Sequence, residues 1–568
     1  MTMRRVKIAV LAVSAVVAAP CAARADVLES ALLQEIARST QSLTQEGQPP
    51  PYFISLRVTD EETNALRCVL GSPSVFTFYR GRRLTPDVRV GSYELDNHPL
   101  QPSGGSEGVD IPYGEDLFAI RHALWTTLDA AYKSSVAGFL RKQALRIRRG
   151  KADYETDDLS RETPARAFAP AAAPEQRRKT DWMEPYCAAI SGAFRTRTRT
   201  LSAGAEARWV RVRERLRTSE GVATDQNKGL AHISLHVQDI ASDGMYVYAS
   251  RSWMAPAPEG LPSLDRIREE SRDMAADLND LVSAVSTAPM TAPALIDPTV
   301  SSALFQAIAA RLSGEEQRNP SGAQTFAGKV GKKILPGFLT LIDDPTALEF
   351  HGKALVGGYG FDDQGVPARR STLVEKGLLR SFLLSRYPVV GFAHSNGHGR
   401  SAPGFSPMGR PSNLFVEASA PLASRDMLGA LRKECRRRGK SHGLWIQRAR
   451  SWNQQGGTGR QQAFRLSPTR IYLVDVRTGS RTLVRNLDMV GTPIELAARI
   501  LAAADDPQAV DALVDQESGK IPVTTIAPSL LLSEVELQRA ETKPQRPPIL
   551  EPPAADNAVA PARSAPVK

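Results

Sequence analysis

Residues 355–392 read LVGGYGFDDQGVPARRSTLVEKGLLRSFLLSRYPVVGF, followed by AHSNGHGR at 393–400 and NLFVEA at 413–418. Two alternating apolar runs flank Asp363-Gln364-Gly365, a turn-forming triplet, so the stretch opens as a predicted β-hairpin. A second turn at Glu375-Lys376-Gly377 leads into Leu378 to Leu384. Asn396-Gly397, with Gly391, Gly399 and Gly404 around it, denies a helix to 393–404. Asp362 and Asp363 are neighbours, and neighbours in a strand point to opposite faces. They read as turn formers rather than as a catalytic pair.

Working outward toward the C-terminus, a helix is expected from Ser424, a plausible cap, to Arg438. Strands follow at Leu444–Ala449, Arg465–Val476 and Arg481–Asp488, then a helix at Pro493–Ala504. Upstream lies a helix over Thr299–Leu312, and before it a Pro/Thr-containing hinge at Ser286–Ala294. Further back, strands are expected at Tyr52–Val58, Ala65–Leu70, Val88–Leu95, Arg195–Leu201, Arg208–Leu216, Gly229–Gln238 and Met245–Arg251. Helices are expected at Val27–Gln45, Gly114–Arg149, Trp182–Phe194 and Leu264–Val285. Helical spacing at Leu117, Ile120, Leu124, Leu128 and Ala131 buries one face of the second.

The order of pieces from Gly357 to Glu417 resembles the C-terminal domain of the TldD/PmbA family of metallopeptidases, also described as DNA gyrase modulators. Leu216-Arg217-Thr218-Ser219-Glu220-Gly221 and Asn486 to Ala504 carry weaker parts of the same resemblance. It implies an α+β chain: an N-terminal α/β domain with an antiparallel sheet and long helices, and a mainly antiparallel β C-terminal domain. The division expected is 26–290 and 291–540, with a loop or linker at 152–180 and a Pro/Ala-rich tail at 541–568, read as disordered.

The resemblance also implies a zinc helix of the form HExxxH and a Cys near the C-terminus. On that pattern Phe305 stands at the first His, Gln306 at the Glu and Ala310 at the second His. Phe and Ala offer no lone pair, and Gln takes no proton from water at neutral pH. The stretch Gly519 to Leu531, similar to the family's last strand, has no Cys. The expectation is therefore no zinc, no catalytic residue, and likeness to the metal-less type that partners an active subunit. That implies a peptide or unfolded polypeptide as ligand, and a homodimer or a heterodimer with a zinc-bearing member. The Gly/Asn/Arg-rich loop implies a cleft wall, with Asn396, Arg400 and Asn413 as candidates. Two alternatives stand beside it: an active peptidase whose metal ligands have moved to His394, His398 or His351, and an envelope scaffold.

Composition narrows the rest. The chain has 568 residues, too many for one core. Arg4, Arg5 and Lys7 precede an apolar run, and Ala23-Arg24-Ala25 is a small-x-small site, so residues 1–25 are expected to be a signal peptide. The chain is then exported to the periplasm or beyond, with no membrane span left after cleavage. Of the formal charge of +11, four positive charges leave with that segment. What remains is weak ground for nucleic acid, and none is expected as a partner. Cys68, Cys187 and Cys435 remain, and Cys68-Cys187 could pair in an oxidising compartment. Basic residues around Cys435 could lower its thiol pKa. Arg211, Arg213, Arg215 and Arg217 share a strand face, as do Arg195, Arg197 and Arg199. They read either as an anion grip or, as favoured here, as a solvated face. His232 and His236 share an outer strand face.

Overall fold

The computed structural model describes residues 26–99, 108–150, 156–169, 180–195, 201–318, 324–451 and 464–540. The expected signal segment, residues 152–155 and 170–179 of the linker, Arg197 and Arg199, and the tail lie outside these.

The N-terminal domain is built on one sheet of unusually long strands. Its order runs Val109–Asp110, Ser72–Val90, Pro51–Val69, Ser202–Thr218, Ala223–Ile240 and Arg166–Phe168, with Tyr246–Ala255 also on Ala223–Ile240. Pro51–Val69 is one 19-residue strand, where short separate pieces were expected. Its polar middle, TDEETN, is no turn. Asp60 lies opposite Arg82 and Glu62 opposite Arg211, and both pairs are ion-paired. Cross-strand ion pairs thus carry the ladder through a stretch that apolar patterning misses.

Helices Val27–Ser42 and Leu117–Arg149 pack Leu28, Leu32, Ile120, Leu124 and Leu128 against Ile54, Leu56 and Leu84. Asp116 caps the longer helix by accepting from Ala119 N–H. Helices Met183–Gly192 and Leu264–Ser283 seal a second core around Trp209, Ile233 and Leu235. Cys187, on the first of these, is disulfide-bonded to Cys68 across 119 residues of sequence.

The C-terminal domain sets a six-stranded and an eight-stranded sheet around helix Pro298–Ala310. The six-stranded sheet runs Leu378–Leu379, Ser371–Glu375, Leu339–Asp343, Asn413–Ala418, Gly519–Ala527 and Gln508–Gln516. Most pairings are antiparallel, as expected, though Asn413–Ala418 pairs parallel to Gly519–Ala527.

Three local expectations fail for physical reasons. The hinge at Ser286–Ala294 gives way to strand Met290–Ile296, buried between His442–Ser451 and Leu530–Arg539. Pro293 is tolerated because the register slips there, between Leu532 and Val535 of the partner. The helix Pro493–Ala504 stops at Ala498, and Ile500–Ala503 joins the sheet edge-on to Leu530–Leu532. Pairing overrides the helix propensity of its alanines. Around Asp363-Gln364-Gly365 the turn forms but the hairpin does not, since one bridge, Phe361 to Pro367, is all that pairs. The second turn is as expected: Ser371–Glu375 returns through Lys376 and Gly377 into Leu378–Leu379. Gly377 has φ +79°, and a Cβ there would meet Leu335 O at 2.4 Å.

Candidate functional site

Helix Pro298–Ala310 begins at a proline whose missing N–H costs a first turn nothing. The Ser301 hydroxyl donates to Pro528 O (2.7 Å), which draws the helix onto the end of strand Gly519–Ala527, while the Ser302 hydroxyl donates back to Pro298 O (2.7 Å) within the helix. Phe305 is 0% exposed, among Val300, Leu304, Ile308 and Leu312 in the main C-terminal core. Gln306 Nε2 donates to Thr525 Oγ1 at 3.2 Å. Ala310 is half-buried. The three positions thus present a benzyl ring, a carboxamide and a methyl group, with the Thr525 hydroxyl beside the carboxamide. This donor set does not fit zinc, which takes imidazole, thiolate or carboxylate. Just before the helix, Asp297 accepts from Trp445 Nε1 at 2.7 Å. Burial pushes the Asp297 carboxyl up to about 6, partly offset by that bond.

The histidines offered as relocated ligands do not converge. His351 stacks on Phe350 with centroids 4.0 Å apart. His394 is 70% exposed beside Glu162. His398 is fully buried, its Nε2 3.1 Å from Asp343 Oδ1, and Ser412 bonds the same carboxylate. Among the described residues no three His, Cys, Asp or Glu side chains form a group able to hold a metal ion.

The expected cleft wall is also built differently. Asn396 Oδ1 accepts from Leu384 N–H and its Nδ2 donates to Phe382 O. Arg400 donates to Pro411 O and Pro522 O, and Asn413 bridges Gly357 N–H and Ala347 O. All three tie loops together inside the domain instead of facing a groove, because each satisfies backbone groups that burial would otherwise orphan.

The open space lies instead at the seam between the domains. A cavity of 840 Å³ is lined by residues that include Phe53, Arg57, Asp363, Arg386, Tyr387 and Glu517. The Asp362-Asp363 turn reaches into this seam. A Cβ on Gly365, at φ +80°, would come within 2.5 Å of Val222 Cγ1 in the other domain. Asp363 Oδ2 lies 3.3 Å from Arg57 Nη1, and its Oδ1 accepts from Lys228 Nζ at 2.8 Å. Glu214 faces the same two cations, at 3.6 and 3.3 Å. Burial alone would raise the Asp363 carboxyl, but Lys228 and Arg57 hold it down to about 2. Burial raises Glu214, and the Asp363 charge adds to it.

Asp362 has the opposite fate. It accepts from the N–H groups of Gln364, Val366 and Gly399 at 2.9–3.0 Å, yet burial pushes it up to about 7. These adjacent carboxylates are more than turn formers. One anchors the seam as an anion, and the other shapes the turn from within it.

The Leu216–Gly221 stretch turns out to be the seam's other half. Glu220 accepts from Arg386 Nη1 at 2.7 Å and from Tyr93 Oη at 2.6 Å, while Ser219 Oγ accepts from Ile54 N–H at 3.0 Å. The arginine face behind it is not solvated. Arg215 and Arg217 are buried and ion-paired to Asp225, Asp26 and Glu29, and Arg213 also reaches Asp225. Cys435 is buried, and burial, with Glu434 beside it, pushes its thiol up to about 11 instead of down. His232 is held largely neutral by burial, down to about 4, while His236 on the same face is exposed.

Residues 289–539 match the family described as the PmbA/TldA metallopeptidase C-terminal domain. A metalloprotease of Archaeoglobus fulgidus is 30% identical over 158 residues, 28% of this chain and 36% of that protein. A metalloprotease TldD homolog of Haemophilus influenzae is 22% identical over 262 residues, 44% of this chain and 50% of that protein. The chain thus spans half or less of the length of these curated relatives. TldE from Thermococcus kodakarensis has the same fold, with a TM-score of 0.59 at 15% identity, covering 89% of this chain and 100% of that one.

Proposed function

The chain belongs, through residues 289–539, to the TldD/PmbA metallopeptidase family, and from that premise we propose that it is a non-catalytic member of it. It holds extended polypeptide at the domain seam and serves a zinc-bearing relative as partner subunit. One observation carries the reading. At the helix where the family resemblance places two imidazoles and a general base, Phe305 is sealed in the core and Gln306 is spent on Thr525. Without a lone-pair ligand or a base, nothing there lowers the pKa of a water or accepts its proton. The seam cavity supports the peptide role. At 840 Å³ it is roomy enough for several residues of chain, and it presents aromatic and charged side chains together.

The test is zinc content and cleavage measured side by side. Protein purified without chelator should carry far less than one zinc per chain by elemental mass spectrometry. It should bind unfolded polypeptide without cutting it. One tightly held zinc per chain, or cleavage abolished by a chelator, overturns the reading. Export belongs to the same proposal, and the Cys68–Cys187 bond supports it, since structural disulfides persist in oxidising compartments.

A further inference from the structure

We propose that the seam cavity is a site for short oligopeptides with both ends free, Arg141 taking the terminal carboxylate and Glu517 the terminal ammonium. The inference rests on the reading of the seam as a polypeptide site and narrows it from any extended segment to a chain with charged ends.

The floor of the cavity is one face of the ladder between Pro51–Val69 and Ser72–Val90. Phe53, Ser55 and Arg57 alternate along the first strand, with Arg89, Asp87 and Thr85 opposite them in register, and all six line the space. Two hydroxyls on this floor are uncommitted. Thr85 is 6% exposed, and its Oγ1 has no hydrogen-bond partner. Half-buried Ser55 makes no side-chain hydrogen bond among the described residues. A buried hydroxyl left unpaired costs free energy, and the carbonyl groups of a chain lying on the floor would supply the missing acceptors.

Helix Leu117–Arg149 forms one wall, lining the cavity from Thr126 to Leu145 with mostly small side chains. From Thr126 to Arg141 it runs about 22 Å. That is the length of about six residues of extended chain. A short peptide therefore fits whole, and its ends meet the walls.

The charges on those walls are matched with two exceptions. Arg57 faces Asp363 and Glu214, Arg89 holds Asp87 and Asp96, Lys142 holds Asp158, and Arg386 holds Glu220. Arg141, exposed on the helix, makes no hydrogen bond or ion pair among the described residues. Nor does Glu517, half-buried on the turn between Gln508–Gln516 and Gly519–Ala527. One is a cation of the N-terminal domain and the other an anion of the C-terminal domain. Arg410, whose charge Glu517 feels, is spent on Ser518, Gly519 and Val514. The Glu517 charge falls instead on a second acid: burial pushes Glu316 up to about 7, and Glu517 adds to the rise. An ammonium beside Glu517 would relieve that repulsion, and a guanidinium grips a carboxylate through its planar fork. A short zwitterion satisfies both exceptions at once. An interior segment of a long chain, neutral along its backbone, satisfies neither.

Calorimetric titration of the full chain with penta-alanine tests this, beside the N-acetylated and C-amidated forms of the same peptide. The free peptide should bind, and each block should raise the dissociation constant about 10-fold or more. Arg141→Gln should weaken the free peptide by a similar factor, become indifferent to amidation and still sense acetylation. Glu517→Gln should do the reverse. Both side chains lie outside the hydrophobic cores, so unchanged melting curves are expected to accompany these losses. Equal binding of free and blocked peptides overturns the proposal, and so do end effects that both variants leave intact. Reduced, carboxymethylated α-lactalbumin, an unfolded polypeptide, separates this inference from the reading beneath it. If that polypeptide binds and penta-alanine does not, the seam remains a polypeptide site and the end-reading falls. If neither binds, both fall.

Discussion

The slot helix and the domain seam are both buried, and they have been filled in opposite ways. At Pro298–Ala310, the helix to which the proposed reading assigns the zinc motif, Phe305 and its neighbours pack into the core. At the seam, Arg57, Glu214 and Asp363 are gathered out of water against half-buried Lys228, with Arg386 and Glu220 beside them. Dispersion and hydrophobic burial are non-directional and tolerate reshaping. Ion pairs in low dielectric are stable only as a complete set. The contrast teaches where this molecule can be altered without breaking and where it cannot. The helix Pro298–Ala310 is core, while buried ion pairs gather at the join between domains.

The largest effect is expected at the core. Phe305→Ala empties a fully packed position and should cost about 4 kcal/mol of stability by denaturant unfolding. A loss below about 1 kcal/mol would show a slot loose enough to refill, and the contrast would collapse. At the seam, Asp363→Ala leaves Arg57 and Lys228 sharing Glu214 alone and should cost about 3 kcal/mol. The double variant Lys228→Met/Asp363→Leu should recover much of that loss, because what hurts is the unpaired charge and not the missing bridge. If the double variant is no better than the single, the seam gains more from its ions than this argument allows.

A pH series separates the two adjacent carboxylates. Asp362 is raised to about 7 in the folded chain, above its unfolded value near 3.9. Between those values the folded state holds a proton that the unfolded state has lost, so this group's contribution to stability falls as pH rises from about 4 to about 7. Asp363 runs the other way. Held down to about 2, it adds stability as pH rises from about 2 to about 4 and loses it on acidification through that window. Asp362→Asn mimics the protonated acid and should flatten the melting-temperature profile between pH 4 and 7. An unchanged slope there would mean that Asp362 is ionised in the folded chain.

How much of this was legible in the sequence follows the same division. Local signals survived. The Lys376-Gly377 turn and the amphipathic spacing of Leu117–Arg149 each depend on residues close together in sequence, and each is placed as read. Contacts between distant residues did not survive. Nothing near Asp363 announces Lys228, 135 residues away, and nothing near Glu220 announces Arg386, 166 residues away. Arg215 and Arg217 read as solvated because two of their acids, Asp26 and Glu29, lie at the start of a helix far upstream, and the third, Asp225, comes beside them only through strand pairing. Pro293 read as a hinge because the slipped register that accommodates it belongs to a strand more than 200 residues later.

The smallest effect sharpens the comparison most. Gln306 turns toward strand Gly519–Ala527, and its carboxamide donates a hydrogen bond to the buried Thr525 hydroxyl. Gln306→Ala should cost about 1 kcal/mol, the net worth of one neutral bond. Gln306→Glu should cost less, because the Thr525 hydroxyl can turn to donate to a carboxylate. That variant puts a carboxylate where the resemblance assigns the motif's base, and on the proposed reading it should still bind no zinc and cut no peptide, since Phe305 and Ala310 offer a metal nothing. Elemental analysis and a cleavage assay on this one variant test whether the proposed lack of catalysis rests on Gln306 alone or on Phe305 and Ala310 as well. Activity in Gln306→Glu would place a metal near a ring and a methyl group that cannot coordinate it, and would mean that the ligands lie elsewhere in the chain.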